Sequence, residues 1–169
     1  MTGARPVAFL DVDGTIATLV DPVNDYSDPR VSWATDTATG VRYNPAVIGW
    51  IHELHTLCEV RWLTAWTQRA ATELAPALGL PVFPAVPFQE HRFAELDWKH
   101  SAILAQLLDE PARPVLWVDD EIDYRGAYDQ LIPHTLGTGV PFFAVRPTLS
   151  DGITEAHMIR IRTFLATSG

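Results

Sequence analysis

The chain has 169 residues, 47% of them hydrophobic and 20% charged, the composition of one ordinary globular domain with a buried core. Its net charge of −9, with no Lys/Arg run, excludes a broad nucleic-acid-binding surface, since affinity for a polyphosphate rests on clustered cations; a local contact to one nucleic-acid end stays open. No apolar run has membrane-spanning length, the N-terminus lacks the layout of a signal peptide, and the single cysteine, Cys58, reads as a buried thiol, so a cytoplasmic protein without a membrane partner is expected.

In chain order, "PVAFLDVD" predicts a buried strand that ends in acids before Gly14, a breaker. Residues 16–44 read as an insertion. In it, Val31–Thr35 and Val41–Tyr43 are β-prone runs joined by a polar Thr/Gly turn, which predicts a hairpin flap. Asn44 and Pro45 predict a helix entry, followed by an apolar stripe of Val47, Ile48, Trp50, Ile51, Leu54 and Leu57. "EVRWLT" is the next strand, and "QRAATELAPALGL" a helix that Pro76 weakens and Gly79 stops. "PVF" is a short strand, with a loop running on to about Leu96. "DWKHSAILAQLLD" is a helix capped by Asp97, "PVLWVDD" a buried strand, Tyr124–Leu131 a short helix and "FFAV" a strand. The last helix begins at Thr154, with Ile153 and Met158 spaced as a hydrophobic staple and Met158, Ile161 and Leu165 facing the core. This alternation predicts an α/β fold: a parallel, Rossmann-like sheet sandwiched by helices, in one domain over residues 1–169.

In such sheets ligands collect beyond the carboxyl ends of the strands. There the sequence places Asp11, Asp13 and Thr15 after the first strand, Thr64 after the second, and Asp119, Asp120, Glu121 and Asp123 after the fourth. Lys99, the only lysine in a chain whose other fixed cations are all arginines, starts the helix before that fourth strand. Glu121 and Asp123 read as solvated loop acids. The remaining acids are costly at strand ends unless compensated, and an all-oxygen set without Cys or His fits Mg2+. A helix N-terminus after Thr64 adds free N–H groups suited to a phosphate. A metal, a lysine, a hydroxyl and amides around a spare carboxylate suit phosphoryl transfer. His52 and His55 in "IHELH" lack the zinc-protease spacing and a third ligand, and read as ordinary helix residues. No Gly-rich nucleotide loop and no Ser flanked by glycines is present.

"FLDVDGTI", "WLTAW", Lys99 and "VLWVDDE", in that order over residues 9–121, resemble the motifs of the haloacid dehalogenase (HAD) superfamily of phosphohydrolases. "WLTAWTQRAATELAPALGLP" and "VRPTLSDGITEAHMIRIRTFL" are similar to the HAD domain of Swiss-army-knife RNA repair proteins. The resemblance implies a Mg2+-dependent phosphomonoesterase that works through an aspartyl-phosphate. By that resemblance Asp11 is the nucleophile, and Asp13 protonates the leaving oxygen and then activates water. Thr64 and the amide of Ala65 hold phosphate oxygens, and Lys99 offsets charge on nucleophile and phosphoryl group. Mg2+ falls to Asp11, the Asp13 carbonyl and Asp120, with Asp119 behind it or bonded to Lys99.

The interval between the first two motifs is too short for a large cap domain, so the hairpin is expected to be a small flap over an open site. Such a site suits a phosphate on a nucleic-acid end, a nucleotide or a protein, and admits small metabolites. Trp33 on the flap and Trp66 beside Thr64 are candidate stacking contacts or packing residues, while Trp50, Trp62 and Trp117 are expected in cores. The alternative reading is a low-turnover HAD-fold binding or regulatory module associated with RNA repair.

Overall fold

The computed structural model describes residues 4–19, 27–88, 93, 96–123 and 126–168. In chain order these form β1 (Val7–Leu10), the short β2 (Ala34–Thr35) and β3 (Arg42–Tyr43), α1 (Ala46–Leu57) and β4 (Glu59–Trp62). A π-helical turn (Ala70–Leu74) then runs into α2 (Ala75–Ala77), followed by α3 (Trp98–Asp109), β5 (Val115–Val118), α4 (Ala127–Thr138), β6 (Phe142–Val145) and α5 (Glu155–Thr167). Four strands make a parallel sheet in the order β4-β1-β5-β6, and β2 pairs antiparallel with β3. The fold is α/β with helices flanking the sheet, compatible with a Rossmann-like arrangement.

Successive strand residues point to opposite faces, and here both faces are covered. Ala8 and Leu10 join a core with Val47, Ile51, Leu54, Leu74 and Met158. Val7 and Phe9 join a second core with Ile103, Leu104, Leu107 and Leu131 on the other side. That is why "VAFL" and "VLWV" are apolar at every position. The register then sets the edge: Leu10 pairs with both Trp62 and Val118, and Val118 pairs with Val145. The four strands end level, so the residues that follow them emerge along one line.

Several expectations change in detail. At the entry of α1, Pro45 takes helical dihedrals and Asn44 Oδ1 accepts the Ala46 N–H at 3.0 Å, as an N-cap should. The buried stripe of α1 is Val47, Ile51 and Leu54; Leu57 is exposed and Trp50 only partly buried, so neither belongs to the core proper. "PVF" forms no strand. The chain there makes a single parallel bridge between Trp62 and Ala85, because Pro81, Pro84 and Pro87 remove the donors that a ladder needs. Pro76 coincides with a widened turn, in which the Ala75 N–H reaches back five residues to the Ala70 carbonyl.

Helix α4 does not stop at Leu131. It passes through Pro133 to Thr138, held by buried Leu131 and Thr135 although Pro133 has no N–H for the Asp129 carbonyl. The expected start of that helix, Tyr124, lies outside the described residues. The flap is smaller than the predicted runs, two residues per strand, and its turn is tied by Asp36 Oδ2, which accepts the Thr39 N–H and hydroxyl. A bridge between Ala17 and Tyr43 joins it to the chain after β1; residues 20–26 of the insertion lie outside the described residues. No described helix is long and apolar enough to cross a membrane.

Candidate active site

Level strand ends bring Asp11, Asp119 and Arg146 to one edge, with Thr64 one residue beyond β4's first successor. The backbone fixes their spacing: the Asp11 N–H donates to the Val118 carbonyl at 3.0 Å, and the Asp119 N–H to the Val145 carbonyl at 3.1 Å. Lys99 arrives from the first turn of α3. A cation there opposes the helix dipole, so its position is not explained by helix stability. Asp97 caps this helix by accepting the Lys99 N–H at 2.9 Å. His100 pins the same turn to the acidic loop, its Nε2–H donating to the Ile122 carbonyl at 2.7 Å while the ring meets Trp117 edge-on.

Lys99 Nζ sits 2.9 Å from Asp11 Oδ2 and 2.8 Å from Asp119 Oδ2, with all three residues buried. Burial alone would depress the lysine pKa, but the charges of Asp119 and Asp11 outweigh it and hold it above the usual value. Asp119 spends its other oxygen on the Glu121 N–H at 2.9 Å. Burial, then the charge of Asp11, pushes Asp119 upward against the pull of Lys99 and that N–H.

Asp120 is different. Its carboxylate receives no hydrogen bond among the described residues beyond that of its own N–H, and burial with the charges of Asp11 and Glu121 raises its pKa to about 6. It rests against Gly14, where φ is +68° and any Cβ would lie 2.4 Å from the Asp120 Cγ, so only glycine lets the two loops meet. The Asp11, Asp119 and Asp120 carboxylates each place an oxygen within 4.8 Å of the others, a set that could hold a metal ion. Asp13 is not in that set. Its Oδ2 accepts the Trp66 indole N–H at 3.0 Å. Burial raises the Asp13 pKa, Trp66 opposes it, and Asp11 adds to the rise.

The residues fit a hard divalent cation. Four aspartates gather near one ammonium that touches two of them, every candidate ligand atom is oxygen, and the Asp120 carboxylate receives no hydrogen bond from another described residue. Asp119, with an oxygen on each of two donors, is the member already committed to protein contacts; Asp120 is the uncommitted one. Glu121 and Asp123 are exposed, as expected.

Thr64 is buried, and its Oγ1 accepts the Trp66 N–H at 3.3 Å. Regular helix begins only at residue 68, so the loop 64–67 rather than a helix end faces the acids. In that loop Thr67 N–H bonds the Thr64 carbonyl, while the Ala65 N–H has no acceptor among the described residues. Trp33 is not brought to the acids by any described contact: its indole donates to the Asp28 carbonyl at 3.3 Å, and the Arg42 guanidinium covers its ring at 4.4 Å. Trp62 and Trp117 are buried in the cores as expected. Cys58 is buried, and its thiol is pushed up to about 12, which leaves it inert. His52 and His55 lie on the exposed side of α1, with His52 Nε2 3.1 Å from the Gly79 carbonyl.

Sequence reasoning missed three contributors. Arg146 follows β6, donates Nε–H to the Asp120 carbonyl at 3.0 Å and lines a groove with Asp120, Glu121, Pro147, Thr148 and Leu149. His100 was legible only as the neighbour of Lys99. Gly152 closes the C-terminal segment on the first loop: a Cβ there would stand 2.5 Å from the Thr15 carbonyl oxygen, which accepts the Ile153 N–H at 2.8 Å.

No protein-family model matches this chain, and a comparison with curated proteins finds no match.

Proposed function

We propose that this edge is the active site of a Mg2+-dependent phosphomonoesterase of HAD type that forms an aspartyl-phosphate on Asp11. The observation that carries the reading is one ammonium, Lys99 Nζ, held between Asp11 and Asp119 beside the Asp120 carboxylate, to which no other described residue donates. Lys99 engages one oxygen of Asp11 and leaves the other for attack at phosphorus. The Asp11–phosphorus bond forms as the bond to the leaving oxygen breaks, and Asp13 gives that oxygen its proton. Asp13 then takes a proton from water, whose oxygen bonds to phosphorus and frees Asp11, with inorganic phosphate as product. The Thr64 hydroxyl and the Ala65 N–H receive phosphate oxygens, and Lys99 offsets their charge. Asp11 and Asp120, with the Asp13 carbonyl, would hold Mg2+, which when bound supplies charge neutralisation at the phosphoryl oxygens.

The small flap favours a phosphate carried on a large or extended substrate, a nucleic-acid end or a nucleotide, in the cytoplasm. The test is release of inorganic phosphate by the purified protein with Mg2+, from an aryl phosphate and from a panel of RNA ends, DNA ends, nucleotides and sugar phosphates. Asp11→Asn should abolish turnover, a loss of at least about a thousandfold. An Asp11→Asn protein as active as the wild type refutes the mechanism, and phosphate binding without release across the panel would favour the low-turnover module.

A further inference from the structure

We infer that Trp66 is the positioning residue of Asp13: its indole N–H fixes one carboxyl oxygen and leaves the other to carry the proton. The inference rests on the phosphomonoesterase reading and goes beyond it to a residue that the sequence offered only as a stacking or packing ring. The carrying observation is the 3.0 Å hydrogen bond from Trp66 Nε1 to Asp13 Oδ2.

An indole N–H only donates, and a protonated carboxyl has one oxygen that accepts well and one that donates. The oxygen bonded to Trp66 is the acceptor, so that when Asp13 carries a proton Oδ1 is the oxygen left to hold it. When the leaving oxygen departs from phosphorus, the electron pair of the broken bond takes the proton from Oδ1, and the charge left on Asp13 is shared with the Oδ2 that Trp66 already binds. In the second step the same oxygen receives the proton from water. Trp66 touches neither phosphorus nor leaving group; it acts through Asp13.

Trp66 is held at its backbone and at its ring. Its backbone N–H donates to Thr64 Oγ1, and the Arg69 guanidinium lies 5.2 Å from the ring centroid, itself paired with Glu73 at 2.8 Å. The next residue, Thr67, has φ +49°, a left-handed conformation that costs a non-glycine residue about 1 kcal/mol or more. A ring with a guanidinium over one face and its donor on Asp13 is arranged for holding a carboxyl.

Trp66→Phe separates the roles, because phenylalanine keeps a flat ring and loses the donor. kcat/KM extends only to formation of the aspartyl-phosphate, so it reports protonation of the leaving group without the later water step. With Mg2+, 4-nitrophenyl phosphate needs little help from an acid, and glycerol phosphate needs much. Trp66→Phe should lower kcat/KM about tenfold on glycerol phosphate and less than about twofold on 4-nitrophenyl phosphate, with Asp13→Asn giving the same asymmetry at about a hundredfold. An unchanged melting temperature shows that the variant is folded. Equal losses on both substrates, or none, overturn the role of Trp66 and leave the phosphatase reading standing. A wild-type protein inactive on both, with the RNA, DNA, nucleotide and sugar phosphate panel also blank, overturns both.

Discussion

At the amino end of the sheet Arg113 bridges Glu59 and Glu110, Arg61 bonds Glu59 and Gln106, and Arg5 donates to the carbonyls of His55 and Cys58. At the carboxyl end Asp11 and Asp119 share Lys99, and Asp13 and Asp120 feel its charge without touching it. The first network is matched in sign and open to water. Burial works against ionising Glu59, but Arg113 and Arg61 outweigh it and hold its carboxyl below the usual range. At the other end burial wins, and Asp13, Asp119 and Asp120 are all raised. Charges arranged for stability satisfy one another; charges arranged for chemistry leave an excess for something else to satisfy.

The largest effect that separates the two ends should come from Lys99→Arg. A planar fork does not fit a slot where one nitrogen lies within 3 Å of two carboxylates, so activity should fall about a hundredfold while circular dichroism stays native. Near-normal turnover in this variant would place Lys99 among the merely structural charges. Next in size is the response to a cation. Saturating Mg2+ at about a hundred times its Kd should stabilise the protein by about 2.7 kcal/mol, a rise of several degrees in melting temperature. Chelation should reverse the rise and Asp120→Asn should remove most of it, whereas a melting temperature indifferent to divalent cations would mean that the excess charge needs no metal.

The smallest effect belongs to the amino end. Glu59→Gln should cost about 0.5–1 kcal/mol at pH 7 and leave phosphate release untouched. The sign follows from linkage: a carboxyl with a lowered folded pKa contributes stability above its unfolded value of 4.5, lost as pH falls through the folded value. In denaturant melts the difference between variant and wild type should therefore be largest at pH 7 and shrink toward pH 3. A penalty that persists at pH 3 would reveal packing, not charge, as the work of Glu59.

The elements that set the edge were readable because local pattern and tertiary burial agree. "VAFL" and "VLWV" are apolar throughout, and each ends at an acid, so strand, end and candidate residue come in one reading. Asp97 and Thr154 marked their helices for the same reason, as polar caps before apolar stripes. What sequence could not give is long-range. That Asp119 rather than Asp120 bonds Lys99 depends on which way two adjacent carboxylates turn at the end of β5. The bond from Trp66 to Asp13 joins residues 53 apart in sequence, and nothing in the residue type advertises the left-handed turn at Thr67 beside it. The extension of α4 past Leu131 was not legible either, since burial of Leu131 and Thr135 carries the helix through Pro133, a residue type that normally ends one.

The contact between Gly152, Ile153 and Thr15 carries a consequence for the order in which the molecule becomes competent. The acidic loop after β1 and the group that closes its far side lie some hundred and forty residues apart in sequence. Between them in sequence, the ends of β4 and β5 supply Thr64 and Asp119, and the first turn of α3 supplies Lys99. The loop after β1 is therefore closed only by a contact of long sequence separation, made by the turn between β6 and α5, so its cradle depends on the whole sheet having assembled.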